Sequence, residues 1–308
     1  MTAAPERAAA ALRCSFASEQ RQDPFTGTAA PARGLLLLEQ PGPWGRQALV
    51  ESRLDPEVGA AVGARAVARG LRPLLIRRPG RADQDGRGRR WAVVDCAPGR
   101  EVVRWGDFGG DSELLDLPLD GSAGAATDEP AYLVCTHGRH DACCAIRGRP
   151  VAQTLAAARP DSVWECSHIG GDRFAANLLV LPHGLYYGRA DGDAAAQVVA
   201  AHERGEVLPS LLRGRTSFQP AAQAAQQHAR IELGELAINA LNPVAVLPLP
   251  GRRWDVRLRH DPTDLLVTVR GTSRGRASLL TCHAGYPAHP PAYEVTDLRP
   301  LGARPATA

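Results

Sequence analysis

The sequence predicts an α/β (α+β) fold made of two similar units and a β-rich tail. Apolar, strand-like runs alternate with helical stretches over residues 25–108 and again over residues 131–242. Both stretches show the order strand, helix, strand, strand, which predicts a sheet with helices on its faces. The last part of the chain, residues 243–302, contains mainly strand-like runs and is predicted as a β-rich segment.

The first unit is predicted as β-α-β-β-β. It opens with the buried strand candidate "RGLLLLEQ" and the turn "PGPWG". In the helix "DPEVGAAVGARAVARG", Asp55 is expected as N-cap, Pro56 at the first position and Gly70 beyond the end. The runs "LRPLLIRR", "RWAVVDCA" and "EVVRWGDF" complete the unit as strands. Ahead of it, residues 1–24 are predicted as an arm with an alanine-rich helical segment.

The second unit repeats this order after an expected linker. Residues 109–130 are acidic and rich in Gly, Ser and Ala, which is typical of a linker. Strand "PAYLVCTH" opens the unit, followed by a cysteine-rich loop and a helix over "GRPVAQTLAAARP" with Pro150 near its start. "DSVWECSH" is the next strand, and "FAANLLVLPHGLYYGR" is similar to a hairpin. A further helix is predicted from Asp193 as N-cap to Gly205.

Composition narrows the classes of protein that fit. A chain of 308 residues with 44% hydrophobic content can bury a core without disulfides. The seven cysteines are odd in number and irregularly spaced, and the N-terminus lacks a signal-peptide pattern, so we expect a reduced, cytoplasmic protein. No run reaches the roughly twenty apolar residues of a membrane span. The basic run at residues 78–91 lacks interleaved aromatics, so no nucleic-acid partner is expected.

Ligand-type side chains are concentrated in "CTHGRHDACCAIRG", residues 135–148, directly after an apolar strand. They are Cys135, His137, His140, Asp141, Cys143 and Cys144. A segment this polar is not typical of a core, and its soft donors are those that zinc and iron–sulfur clusters prefer. We therefore interpret the segment as part of a metal site.

A second loop, "WECSHIGGDRFAAN", follows another predicted strand and carries Cys166, His168 and Asp172. Two ligand-bearing loops at the ends of strands indicate one shared site. The remaining cysteines are interpreted as small buried apolar residues. They are Cys14, Cys96 and Cys282.

Three chemistries are open at these loops. Structural zinc sites usually combine short Cys-x2-4-Cys knuckles, which do not occur here. Thiol-redox enzymes use Cys-x-x-Cys, which is also missing, and the adjacent Cys143 and Cys144 can form only a strained disulfide. The wide spacing from Cys135 to Cys143 or Cys144 is better suited to a bulky iron–sulfur cluster, which accepts thiolates and, in some classes, imidazole on one iron.

At these residues the sequence resembles the sucrase/ferredoxin-like family. The resemblance rests on "EQPGPWG", "CTHGRHDACC" and "WECSHIGGDRFAANLLVLPHGLYYGR", in this order and separation, and covers most of residues 30–235. It implies a thioredoxin-like ferredoxin domain that holds a [2Fe-2S] cluster. The name does not imply glycosidase chemistry, and the sequence shows no pair of catalytic carboxylates.

The resemblance also implies a set of metal ligands. It assigns Cys135 and Cys144 from the first loop and His168 from the second, and places Cys143 at a variable position. Fungal relatives have a second histidine at the fourth position, where this chain has Asp172. The three-residue spacer from His168 favours Asp172 as the fourth ligand, whereas Cys166 is the better donor but stands on the strand. A vestigial site is the third possibility.

Three neighbouring residues are predicted to assist cofactor binding. Gly170 and Gly171 would let the backbone approach the cluster and donate N–H groups to it, although a plain tight turn also explains them. Arg173 would shield cluster charge or bind an acidic partner, with a solvated arginine as the alternative.

The predicted function is electron transfer or redox sensing with a redox partner protein that the sequence does not identify. Two alternatives remain open: a zinc-binding or cluster-free thiol redox protein, and a non-catalytic thioredoxin-fold interaction module.

Overall fold

The computed structural model describes residues 13–80, 88–273 and 277–302. The helices are α1 (Cys14–Gln20), α2 (Ala48–Glu51), α3 (Pro56–Ala68), α4 (Ala142–Ala158), α5 (Asp193–Glu203) and α6 (Pro220–Leu233), with 3-10 helices at Asp111–Asp116 and Asp172–Phe174. The strands are β1 (Gly34–Glu39), β2 (Leu71–Arg77), β3 (Arg89–Asp95), β4 (Val102–Phe108), β5 (Ala125–Thr127), β6 (Ala131–Cys135), β7 (Val163–Cys166), β8 (Leu178–Leu181), β9 (Leu185–Tyr187), β10 (Leu212–Arg215), β11 (Pro243–Leu249), β12 (Arg253–Leu258), β13 (Leu265–Ser273) and β14 (Pro291–Pro300). The first 12 residues of the predicted arm and residues 81–87 of the basic run lie outside the described residues.

These elements form a mixed α/β fold, as the sequence predicts. Ten strands make one sheet in the order β10-β9-β8-β6-β7-β2-β1-β3-β4-β5, and the last four make a second sheet in the order β11-β12-β13-β14. The predicted first and second units are therefore not separate sheets. They join where β2 pairs antiparallel with β7 through Ile76 and Arg77, which face Cys166 and Glu165.

The two halves of the large sheet have the same topology. In the first half β1 and β2 are parallel, α3 lies between them in sequence, and β3 and β4 continue antiparallel beyond β1. In the second half β6 and β7 are parallel, α4 lies between them, and β8 and β9 continue antiparallel beyond β6. The second half therefore has the strand order β7-β6-β8-β9, which mirrors the order β2-β1-β3-β4 of the first half.

The large sheet curls so that its two halves share one apolar core. The indole rings of Trp105 on β4 and Trp164 on β7 stack with their centroids 5.5 Å apart, although three strands separate β4 from β7 in the sheet order. Arg215 on β10 forms an ion pair with Glu101 at 2.5 Å, just ahead of β4. Separate clusters on the outer faces pack against α3 in the first half and against α4 and α5 in the second.

The segment predicted as a linker, residues 109–130, packs as part of the first half. It contains the 3-10 helix and strand β5, which pairs with β4. Leu114, Leu117 and Leu119 are buried in the cluster beneath α3. Their apolar side chains, spaced along an otherwise acidic stretch, account for this ordered packing.

Two helix boundaries differ from the prediction. Helix α4 begins at Ala142 rather than at Gly148, because the Asp141 carboxylate accepts a hydrogen bond from the backbone N–H of Cys143 and caps the helix earlier. Pro150 therefore lies inside the helix and not near its start. Helix α5 has Gly192 as its N-cap, so that Asp193 is its first residue. The predicted Asp55 cap of α3 is confirmed, with hydrogen bonds from the N–H groups of Glu57 and Val58.

The β-rich tail forms the antiparallel sheet β11 to β14, which packs its apolar face against α6. The connection between β13 and β14 does not stay with this sheet. Cys282 in that connection lies beside Cys14 of α1 and Cys143 of α4, so the tail reaches the start of the second half.

Candidate metal centre

The candidate ligands lie where the adjacent parallel strands β6 and β7 end. Cys135, the last residue of β6, is in register with Cys166, the last residue of β7. Because parallel strands end at the same edge of a sheet, the segments that follow them meet there. The first segment enters helix α4 after six residues, and the second turns through Gly170 and Gly171 into a 3-10 helix.

Five side chains from these two segments form what we call the central site. The Sγ atoms of Cys135 and Cys144 and a ring nitrogen of His168 lie within 4.8 Å of one another, and so do ligand atoms of His140, His168 and Asp172. Cys135 and Cys144 are each 1% exposed, whereas His168 keeps 20% of its side chain exposed. The thiols therefore face the core and the imidazoles face the surface.

Asp172 connects the thiol side of the central site to its histidine side. Cys144 Sγ donates to Asp172 Oδ1 at 3.4 Å, and His168 Nδ1 lies 2.9 Å from the same oxygen. This Nδ1 is buried but has no aligned hydrogen bond. The rings of His140 and His168 stack with centroids 3.8 Å apart. Thiol, imidazole and carboxylate ligand atoms therefore converge on one small volume.

The charges at the central site are strongly perturbed. The neighbouring Cys144 thiol outweighs burial and lowers the pKa of Cys135 well below its usual range. The proximity of Cys135 and burial both raise the pKa of Cys144. Burial lowers the pKa of His168, but its contacts with Asp172 and Cys135 outweigh this and raise it to about 9. Burial raises the pKa of Asp172, but His168 outweighs it and lowers the pKa. Protons on Cys144 and His168 thus offset the negative charge that a metal cation would otherwise neutralise.

His137 supports the central site without being free to bind metal. Its Nε2 donates to the backbone carbonyl of Gly45 at 2.6 Å, which leaves Nδ1 to accept the N–H of His168 at 3.3 Å. The ring of Trp44 meets that of His137 edge-on, with centroids 5.8 Å apart. The "PGPWG" turn of the first half therefore positions the second-half loop.

The two glycines of the second loop have different surroundings. Both have positive φ, 88° at Gly170 and 79° at Gly171. Among the described residues, no atom of a neighbouring segment lies within 4 Å of the position that a Cβ would take at Gly170, so these residues leave room beside the loop. A Cβ at Gly171 would lie 2.5 Å from the guanidinium of Arg213. The packing of Arg213 therefore requires a glycine at position 171.

Arg213 on β10 is a site residue that sequence reasoning missed. Its buried guanidinium donates to the carbonyl of Gly170 and to Asn177 Oδ1, each at 2.8 Å, and to the carbonyl of Thr28 at 2.6 Å. Asn177 in turn donates to the carbonyl of Gly171 at 2.9 Å. Arg213 thus fixes the second loop, and burial lowers its pKa to about 10. The sequence "LLRGR" contains no pattern that predicts this role for Arg213.

The structure separates the alternative ligands from the central site. Cys143 and Cys144 are consecutive residues in the first turn of α4, where neighbours point about 100° apart, and Cys143 turns toward Cys14 and Cys282. Cys166 is fully buried and belongs to none of the three groups of converging ligand atoms found among the described residues. Arg173 is 8% exposed rather than solvated, and its ring contact is with Phe174.

A cleft of about 490 Å³ opens beside the histidine side of the central site. Helices α2 and α3 form one wall with mainly small apolar residues, and His137, His140 and His168 form the other. The imidazoles are therefore the ligand-type groups nearest to any molecule that enters from solution.

The chain belongs to the sucrase/ferredoxin-like family. The model of that family matches residues 26–214, which is more than half of the chain and includes both halves of the large sheet. The resemblance predicted from the sequence is thereby confirmed. No curated protein and no solved structure matches the chain. Within the described part of the chain, no helix has both the length and the apolar character needed to cross a bilayer.

Proposed function

We propose that this protein is an electron-transfer or redox-sensing protein that holds one [2Fe-2S] cluster at the central site. The observation that carries the proposal is the convergence of two buried cysteines, Cys135 and Cys144, with His168 and Asp172 at the ends of two parallel strands. Membership of the sucrase/ferredoxin-like family supports it.

The residues present fit such a group. Thiolates hold iron well, and a cysteine pair with imidazole and carboxylate on the opposite side supplies four protein ligands. The buried Nδ1 of His168 lacks an aligned partner, and space is open beside Gly170. Cys135, Cys144, His168 and Asp172 would hold the cluster, which would supply one-electron chemistry.

The side chains around the site would control access to it. The thiols lie in the core that both halves share, away from water. His140 and His168 line the cleft, so a redox partner protein would approach from the histidine side. Burial of the thiols and exposure of one imidazole edge favour exchange of electrons without exchange of ligands. The free cysteines favour a reducing compartment, and we place the protein in the cytoplasm.

A single zinc ion is the second candidate. The ligand atoms of Cys135, Cys144 and His168 lie within 4.8 Å of one another, a separation that one ion also accommodates. A thiolate-and-imidazole donor set suits zinc as well as iron. Elemental analysis distinguishes the two candidates directly.

The test is iron retention after removal of single thiols. Cys135→Ser and Cys144→Ser should each lose most of the bound iron when the full chain is purified without air, because the weaker ligands of the second loop cannot hold it alone. Cys96→Ala is the matched control, since Cys96 is equally buried and lies outside both groups of converging ligands. Full iron occupancy in either serine variant would contradict the proposal.

A further inference from the structure

A second group of ligand-type side chains lies next to the central site and takes no part in it. The two groups adjoin in the sequence at Cys143 and Cys144. Cys14 of α1, Asp141 and Cys143 at the start of α4, and Cys282 between β13 and β14 place one ligand atom each within 4.8 Å of one another. We call this group the three-cysteine site. The sequence predicts Cys14 and Cys282 as small buried apolar residues; Cys14 is 1% exposed, and both thiols lie beside Cys143 and Asp141.

The spacing of the sulfur atoms matches ligands of one tetrahedral ion. The Sγ–Sγ distances are 3.6 Å from Cys14 to Cys143, 3.4 Å from Cys143 to Cys282 and 3.5 Å from Cys282 to Cys14. Zinc–sulfur bonds of about 2.3 Å at tetrahedral angles put neighbouring sulfurs about 3.7 Å apart. The two oxygens of Asp141 lie 3.8 and 3.7 Å from Cys14 Sγ, close to the same edge length.

Asp141 is held in place as a fourth ligand would be. It is fully buried, with Oδ1 accepting the N–H of Cys143 at 2.9 Å and Oδ2 accepting the N–H of Cys282 at 2.7 Å. These bonds orient the carboxylate without giving it a cation. A buried carboxylate among three thiols is costly unless a positive charge joins them.

A disulfide does not account for this arrangement. A disulfide joins two sulfurs at about 2.05 Å and would leave the third thiol and the carboxylate unused. The three sulfurs are instead nearly equidistant.

We propose that Cys14, Asp141, Cys143 and Cys282 bind one zinc-type divalent ion at a closed, tetrahedral structural site. Four protein ligands leave no open position for substrate, which is the pattern of structural zinc. The ion ties α1, the start of α4 and the β13–β14 connection together, over sequence separations as long as 268 residues. Because it fixes Cys143, it also fixes the first turn of α4, where Cys144 of the central site stands.

The test separates this site from the central one. In the full chain carrying Cys135→Ser and Cys144→Ser, which removes the thiols of the central site, we expect one zinc per chain by elemental analysis. Adding Cys282→Ala should remove it, and Cys282 is the half-exposed member of the site, so this change disturbs packing least. Adding Cys96→Ala instead should leave the zinc in place. Equal zinc in the Cys282→Ala and Cys96→Ala chains, or no zinc in either, would overturn the proposal.

A second measurement uses cobalt as a spectroscopic probe of the same site. Cobalt added to the metal-free wild-type chain in place of zinc should give the intense visible bands of tetrahedral Co²⁺ and the near-ultraviolet charge-transfer bands of thiolate ligands. Cys282→Ala should weaken both, whereas iron content at the central site tests the other proposal separately. Detection of a disulfide between any two of Cys14, Cys143 and Cys282 in the purified wild-type protein would also overturn the inference.

Discussion

The two halves of the large sheet share one topology, yet among the described residues the ligand-type side chains of the central site come from the second half. In both halves a strand leads to a crossover helix capped by an aspartate, Asp55 for α3 and Asp141 for α4. Asp55 is exposed, whereas Asp141 is fully buried among thiols. The same backbone plan thus serves packing in one half and ligand placement in the other, and the chemistry depends on the loops rather than on the fold.

The first half acts on the site as a support. Its turn after β1 offers the carbonyl of Gly45 to His137. Its strand β2 contributes Arg77, which contacts Glu165 of β7 at 2.6 Å, and Glu165 also accepts a hydrogen bond from Thr136 at 3.0 Å. These contacts lie where the carboxyl ends of the two parallel strand pairs meet. The first half therefore forms part of the framework of the central site.

The largest expected effect comes from removing Arg213, which fastens the second loop. Arg213→Met leaves the buried carbonyls of Gly170 and Thr28 and the Asn177 amide without their donor. Since a hydrogen bond from a charged group contributes about 1.5–3 kcal/mol, we expect a loss of roughly 4 kcal/mol in the free energy of unfolding. Urea unfolding of the full chain measures it. A loss below about 1 kcal/mol would show that the loop does not depend on Arg213.

The two halves should also contribute differently to the loss of stability in acid, because residues 25–108 contain no histidine. In the second half His202 is buried against His183, with 3.0 Å between Nε2 and Nδ1, and burial lowers the pKa of His202 from 6.5 to about 4. The unfolded chain therefore binds a proton that the folded chain does not, and stability falls as the pH drops from 6.5 toward 4. At about 1.4 kcal/mol per pKa unit, the loss approaches about 3 kcal/mol.

The variant His202→Gln keeps a polar group at this position but does not titrate. Urea unfolding of wild type and variant at several values between pH 7 and pH 4.5 isolates the contribution of His202 from that of the carboxylates. The difference in stability between the two proteins should change across this range. A constant difference would rule out a contribution from this histidine.

A smaller effect distinguishes the two glycines of the second loop. Gly170→Ala meets only the strain of a positive φ, about 1 kcal/mol, whereas Gly171→Ala also places a Cβ 2.5 Å from Arg213. We expect about 2 kcal/mol for Gly171→Ala, because the guanidinium is fixed by its own hydrogen bonds and cannot move freely. Equal losses of stability in the two variants would show that Arg213 yields at little cost.

Local patterns predicted the elements that local interactions determine. The Asp55 cap, the strands flanking α3 and the cysteines at the ends of β6 and β7 depend on residues close in sequence. The early start of α4 was missed because Asp141 was interpreted only as a possible ligand, although it caps the helix. Ordered packing of residues 109–130 was missed because three leucines stand within an acidic stretch.

Long-range contacts could not be predicted in the same way. Cys14 and Cys282 meet across 268 residues, and no periodicity links them. Arg213 contacts Gly170 across 43 residues of sequence. The residues around Arg213 do not distinguish it from an ordinary surface arginine. Such contacts follow from the curl of the sheet, which depends on the packing of both halves together.

The group held at the central site can be identified directly. The most direct measurement is iron, acid-labile sulfide and zinc per chain, with a visible absorption spectrum, on wild-type protein purified without air. We expect two irons and two sulfides per chain, with the charge-transfer bands of a [2Fe-2S] cluster. We also expect one zinc per chain, bound at the three-cysteine site. Protein without sulfide whose zinc exceeds one per chain would contradict the cluster and assign the central site to zinc.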